Sequence, residues 1–126
     1  MTNLSTKEIR GSIKKYKTIN KETVIVNSDI LDFDYQNYTF DLILIKDVLQ
    51  HINNRKICTI LDKLCKLNVD MIITNDFNFN SVNLDCDDGE HHYLNMELPP
   101  FSIKIREKYN WTSYCDNRVK QTVLYC

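Results

Sequence analysis

The sequence predicts an α/β fold: a three-layer sandwich on a mostly parallel sheet, closed by a C-terminal antiparallel hairpin. Three observations carry this expectation. Phe40 to Ile45 is an apolar run without alternation that ends at the charged pair Lys46-Asp47, and strands without alternation are those covered on both faces, as in parallel sheets. A helical pattern and a second apolar run, Val69-Asp70-Met71-Ile72-Ile73-Thr74, follow it, which makes a βαβ unit with a right-handed crossover. Two strand-like runs, Tyr109 to Cys115 and Val119 to Cys126, flank Asp116-Asn117-Arg118, whose residue types favour a hairpin turn.

The elements follow in chain order. Ser5-Thr6-Lys7-Glu8 has the form of a capping box, and Ile9, Ile13 and Tyr16 continue at helical spacing, which predicts an N-terminal helix. Its lysine-rich opposite face (Lys7, Lys14, Lys15, Lys17) reads as a solvated surface. Thr23 to Ile30 reads as a short buried strand because it is β-branched and bounded by polar residues. Asn53 is a candidate N-cap. Ile57, Ile60, Leu61, Leu64 and Cys65 then form one apolar helix face, and Asn68 is the candidate C-cap. Asn75 to Pro100 is polar and irregular, and a connection of that length in a compact domain is usually functional or mobile.

Length and composition bound the function classes. A chain of 126 residues is expected to form a single domain, and shares of 43% hydrophobic and 26% charged residues fit a globular protein. A net charge of -1 gives no electrostatic reason for a nucleic-acid or membrane partner. No apolar run has the length of a bilayer span, and no apolar signal segment leads the chain. The five cysteines form no CxxC pair, which fits reduced thiols and a cytoplasmic location.

The stretch from Phe40 to Asn54 holds the first candidate site. A carboxylate at the end of a parallel strand stands where open α/β sheets bind ligands. Asp47 there can accept a hydrogen bond from an amine or hydroxyl, and His51 can act as a general base. Equally, Asp47 can cap the turn that follows, with Gln50 and His51 tying neighbouring loops together. The second candidate is Cys86-Asp87-Asp88-Gly89-Glu90-His91-His92. Its spacing matches no common zinc pattern. It reads as a polar loop turning at Asp88-Gly89, or as a substrate-facing loop in which His91 or His92 bonds an acceptor.

Phe40-Asp41-Leu42-Ile43, followed by Asp47-Val48-Leu49-Gln50-His51-Ile52, resembles the fourth strand and post-strand motif of class I S-adenosylmethionine-dependent methyltransferases. Asp29-Ile30 is similar to the family's acidic position at the end of the third strand, and Met71-Ile72-Ile73-Thr74 to its fifth strand. Asn95-Met96-Glu97-Leu98-Pro99-Pro100-Phe101 is similar to a substrate-side segment of one bacterial branch. The resemblance implies a truncated Rossmann-like domain over residues 1–126 and S-adenosylmethionine as cofactor. It places Asp29, Ile30 and Lys46 at the cofactor, Asp47 and His51 at the reacting centre, and Gln50, Asn95 and Glu97 at the acceptor. That acceptor is a small molecule or a glycan.

The family's glycine-rich turn and its second strand have no counterpart. Gly11 and Gly89 are the only glycines, and neither lies in a Gly-x-Gly-x-Gly turn, where the backbone approaches the cofactor as only glycine permits. The resemblance therefore implies weak or absent cofactor binding by this chain alone. It also implies an unfilled place in the sheet, met by direct pairing of the Val24 and Leu42 strands, by a partner chain, or by homo-oligomerisation through the edge. Two other functions follow from the same absence: the C-terminal half of a split enzyme, or a non-catalytic interaction module.

Overall fold

The computed structural model describes residues 23–125. The expected N-terminal helix lies outside them. The chain divides into two compact units, Met1–Phe33 and Asp34–Cys126. In the first, residues 23–29 have no regular secondary structure. A turn follows, in which the Asp29 carbonyl accepts from the Asp32 and Phe33 N–H groups at 3.1 and 3.0 Å.

The second unit carries the sheet. Its strands are β1 (Leu42–Lys46), β2 (Asp70–Asp76), β3 (Ile105–Thr112) and β4 (Val119–Tyr125), with one helix, α1 (Asn54–Cys65), between β1 and β2. Short 3-10 turns occupy Tyr35–Asn37 and Leu49–His51. The strand order is β1-β2-β4-β3. β1 runs parallel to β2, while β2 and β4, and β3 and β4, are antiparallel.

This corrects the predicted fold class. Among the described residues the sheet is mixed and mostly antiparallel, a single helix covers it, and it is not a three-layer Rossmann-like sandwich. Two inferences failed for physical reasons. The β-branched run at Thr23–Val26 forms no strand and Val24 is 76% exposed, because β propensity is realised only against a neighbouring strand. The unalternating Leu42-Ile43-Leu44-Ile45 does not signal two covered faces: Ile45 is buried, but Leu42 and Leu44 are 51% and 63% exposed.

The packed layer is α1 against the face bearing Met71, Ile73 and Val123. Ile73 stands opposite Val123, and Met71 opposite Tyr125. The Cys65 thiol and the Tyr125 hydroxyl, 2.8 Å apart, tie the helix to that face. Ile57, Ile60, Leu61 and Leu64 are buried, as the spacing predicts. Asn53 caps the helix, its side chain accepting from Lys56 N–H at 2.9 Å. Asn68 lies beyond the last helical turn at φ 55°, a left-handed conformation that Asn tolerates, and so turns the chain into β2.

The connection from Phe77 to Lys104 is long but strongly cross-braced. Leu94 and Met96 are fully buried in it. The Asn83 side chain accepts from Asn95 N–H at 2.8 Å and donates to the carbonyls of Asn95 and Pro99 at 2.8 and 3.1 Å. Its acidic part sits on the N-terminus of α1. Asp85 accepts from Asn54 N–H at 2.9 Å and Asp88 from Asn53 N–H at 3.0 Å, while Lys56 pairs with Asp88. Carboxylates are favoured at that end of a helix. The N–H groups of Asn54 and Cys86 hold the Asp85 carboxyl below its ordinary range.

Asn53→Ala removes the cap and the Asn53 side-chain bond to Asp88. It is expected to cost about 1 kcal/mol, read as a lower midpoint with unchanged slope in urea denaturation.

Candidate functional site

The carboxyl ends of β1 and β2 form a polar crest, and its geometry begins with β2. That strand continues two residues past the expected end at Thr74 and carries Asp76 into the interior, where its side chain has no exposed surface. Asp76 is directly opposite Lys120 in the antiparallel pair with β4. Lys120, 6% exposed, donates to Asp76 Oδ1 at 2.7 Å and to Asp47 Oδ1 at 3.1 Å. The other carboxylate oxygen, Oδ2, accepts from His91 Nε2 at 2.6 Å and Arg118 Nη1 at 3.0 Å. The Gln50 side chain, also buried, accepts from Asp76 N–H at 2.6 Å.

The electrostatics follow from these contacts. Burial alone would raise the Asp76 pKa, but the bonds from Lys120, His91 and Arg118 outweigh it and hold the carboxyl below its ordinary value. Lys120 mirrors this. Burial opposes its charge, and bonds to Asp76 and Asp47 more than restore it, so its pKa is raised. A buried charge is tolerated only when paired and hydrogen-bonded, and here both requirements are met from several sides.

Asp47 sits at φ 55° just past β1, its N–H bonded to the Thr74 carbonyl at 2.8 Å. Lys46 pairs with its second oxygen at 3.5 Å. His51 Nδ1 donates to the Glu90 carbonyl at 3.0 Å. Its ring lies 5.7 Å from that of His91, and His91 in turn meets Tyr93 edge-on at 4.9 Å. Asp47 and His51 therefore belong to one chain of contacts that runs from Asp47 through Lys120, Asp76 and His91 to His51.

Because a carboxylate and a carbonyl only accept, His91 donates from Nε2 and His51 from Nδ1. In a neutral imidazole the lone pair is then on the opposite nitrogen. Two imidazoles with tautomers set in this way can accept a hydrogen bond or a proton from a hydroxyl or amine. His92 does different work. Its ring nitrogens lie 2.9 and 2.8 Å from the Leu84 and Ile52 carbonyls, and its N–H donates to the Gln50 carbonyl at 2.9 Å. It fastens the loop to the crest.

Other sequence-nominated residues make contacts of their own. Asp29 and Ile30 belong to the Met1–Phe33 unit, and the Asp29 carboxylate accepts from Leu31 N–H at 2.8 Å. The Asn95 side chain accepts from Glu97 N–H at 3.1 Å, and Glu97 pairs with Lys108 at 2.7 Å, both structural contacts of the long connection. Asp76, Arg118 and Lys120 were not nominated. Asp76 read as loop, and the pairing of Asp76 with Lys120 depends on the β2–β4 register, which no local pattern encodes.

The described residues do not fit S-adenosylmethionine. Gly89, at φ 85°, is the only glycine among the described residues, and its N–H is taken by the His51 carbonyl at 2.9 Å. The Asp29 carboxylate is taken up by its own turn. Among the described residues no group of three His, Cys, Asp or Glu side chains is placed to hold a metal ion, and no helix is long and apolar enough to cross a membrane. Comparison with family models, with curated proteins and with solved structures gives no match.

Asp76→Asn removes the charge that Lys120, Arg118 and His91 share. It is expected to cost about 3–5 kcal/mol at neutral pH, because it leaves the buried Lys120 ammonium with Asp47 as its remaining close carboxylate. The depressed Asp76 pKa means that the unfolded state binds the proton more readily. Its contribution is present above the ordinary carboxyl range, about pH 4, and is lost as pH falls through the lower folded value. Thermal midpoints of the two proteins measured from neutral to acid pH are expected to converge at the acid end.

Proposed function

We propose that this chain is an S-adenosylmethionine-dependent methyltransferase-like protein carrying the acceptor side of such a site. Alone it holds the cofactor weakly or not at all and has weak or no transferase activity. The observation that carries this reading is the crest itself. The residues of the methyltransferase-like string, Asp47, Gln50 and His51, follow β1 at the carboxyl end of its parallel pairing with β2. Gln50 and His51 are linked there to Asp76 and His91, so the string that resembles the family is also the string around which the polar groups gather. The acceptor is a polar small molecule or a glycan, whose hydroxyl or amine the His51 and His91 imidazoles can meet.

The missing glycine turn supports the second half of the reading. The sulfonium nucleoside of the cofactor needs close backbone approach, and the chain offers no run of glycines for it. A non-catalytic interaction module is the second reading, and the exposed apolar residues of β1 favour it.

Calorimetric titration of the full chain with S-adenosylhomocysteine is expected to show no saturable binding in the micromolar range or tighter. Saturable heat in that range would overturn the claim that the chain lacks its own cofactor grip.

A further inference from the structure

The charges at the crest are shared unequally. Two cations, Lys120 and Arg118, meet the Asp76 carboxylate, and His91 shares one of its oxygens with Arg118. Lys120 has Asp47 as a second carboxylate at 3.1 Å. Arg118 has no second carboxylate within ion-pair distance among the described residues, and its side chain is 44% exposed. The Asp116 carboxylate is turned to other donors: it accepts from the Arg118 backbone N–H at 3.0 Å and stands 4.0 Å from Lys120 Nζ.

A guanidinium carries five N–H donors in a rigid fork. Only Nη1 of Arg118 is engaged, 3.0 Å from Asp76 Oδ2 and 3.3 Å from His91 Nε2. Its Nη2 and Nε groups have no partner among the described residues. Other free polar groups stand beside this fork. Tyr93 is 48% exposed, its ring meets His91 edge-on at 4.9 Å, and it lies within electrostatic reach of Arg118. Its hydroxyl has no hydrogen-bond partner among the described residues. His91 and His51, with rings 5.7 Å apart, accept at Nδ1 and Nε2 when neutral.

We propose that the free edge of Arg118, with the Tyr93 hydroxyl, is a carboxylate subsite, so that the acceptor substrate carries a carboxylate beside the hydroxyl or amine it presents to His91 and His51. The inference rests on the acceptor-side reading above and adds the charge of the substrate. A carboxylate is planar and takes two parallel N–H bonds from one edge of a guanidinium. Lys46, Lys120 and Arg118 stand among Asp47, Asp76 and Asp116, so recognition comes from the bonds of the fork and not from a net positive field. That favours a monoanion over the dianion of phosphate. In a small hydroxy acid the hydroxyl stands next to the carboxylate, as the imidazoles stand next to the fork.

The probes are acetate, lactate and inorganic phosphate, titrated into the full chain at neutral pH and constant ionic strength. The readout is 1H–15N correlation spectra that include the arginine side-chain Nε–H signals. Acetate is expected to shift the Arg118 Nε–H signal saturably, together with the amides of His91 and Tyr93. Lactate, which adds a hydroxyl, is expected to bind about threefold tighter or more, the worth of one further hydrogen bond. Phosphate is expected to bind more weakly than acetate. Arg118→Lys keeps a cation beside Asp76 but loses the fork, and is expected to weaken acetate binding about tenfold or more. Tyr93→Phe, which keeps the ring against His91, is expected to weaken it about threefold.

No saturable shift with acetate, saturation centred on other basic residues, phosphate tighter than acetate, or acetate binding unchanged in both variants would overturn the subsite. Acetate bound as expected, with lactate no tighter, would support the subsite and overturn the placing of a substrate hydroxyl at His91 and His51, and with it the acceptor-side reading.

Discussion

Asp76 is the residue on which the crest depends. A carboxylate with no exposed surface must be neutral or fully compensated, and this one accepts from Lys120, His91 and Arg118 while its backbone N–H is bound by Gln50. These bonds draw together the turn after β1, the end of β2, the loop bearing His91 and the start of β4. Asp47 joins through Lys120. Most of what makes the crest a candidate site is thus held by one buried charge, and the orientation of His91 follows from the requirement that this charge be satisfied.

The connection after β2 shows how a polar segment can be ordered without regular structure. Asparagine has both a donor and an acceptor in its side chain. Asn83 uses them to tie together Asn95, Pro99 and Asn78, and the Asn54 side chain reaches the Asn83 carbonyl at 3.3 Å. Leu94 and Met96 then enter the core as anchors. The carboxylates of the same connection meet the helix N-terminus instead of a ligand. An acidic run that could be read as a binding loop is, in part, the cap of α1.

Open edges and open faces distinguish this sheet from the sandwich that its strands imitate. α1 covers the face with Met71, Ile73 and Val123, while Leu42, Leu44, Tyr109 and Trp111 retain substantial exposure. On β3 that exposure is accompanied by charged neighbours and by the Trp111 indole donating to Thr122 at 3.0 Å. On β1 the charged neighbours are Asp70, opposite Leu42, and Lys46 at the strand's end.

The sequence alone determined what depends on near neighbours along the chain. Asn53 as cap, the apolar face from Ile57 to Leu64, the strand at Leu42 and the hairpin turn at Asn117 are all local matters of capping, periodicity and turn chemistry, and each was legible. Tertiary structure decided what depends on a distant partner. The run at Thr23–Val26 has the residues of a strand but no strand to pair with, so propensity alone misplaced it and, with it, the fold class. β2 reaches Asp76 because β4 runs beside it as far as Lys120. For the site, Asp47, Gln50 and His51 could be named from a short string, but the groups that hold and orient them, Asp76, Lys120, Arg118 and His91, come from segments up to 73 residues away. Their convergence is a property of strand register and charge burial, and neither can be read from a local pattern.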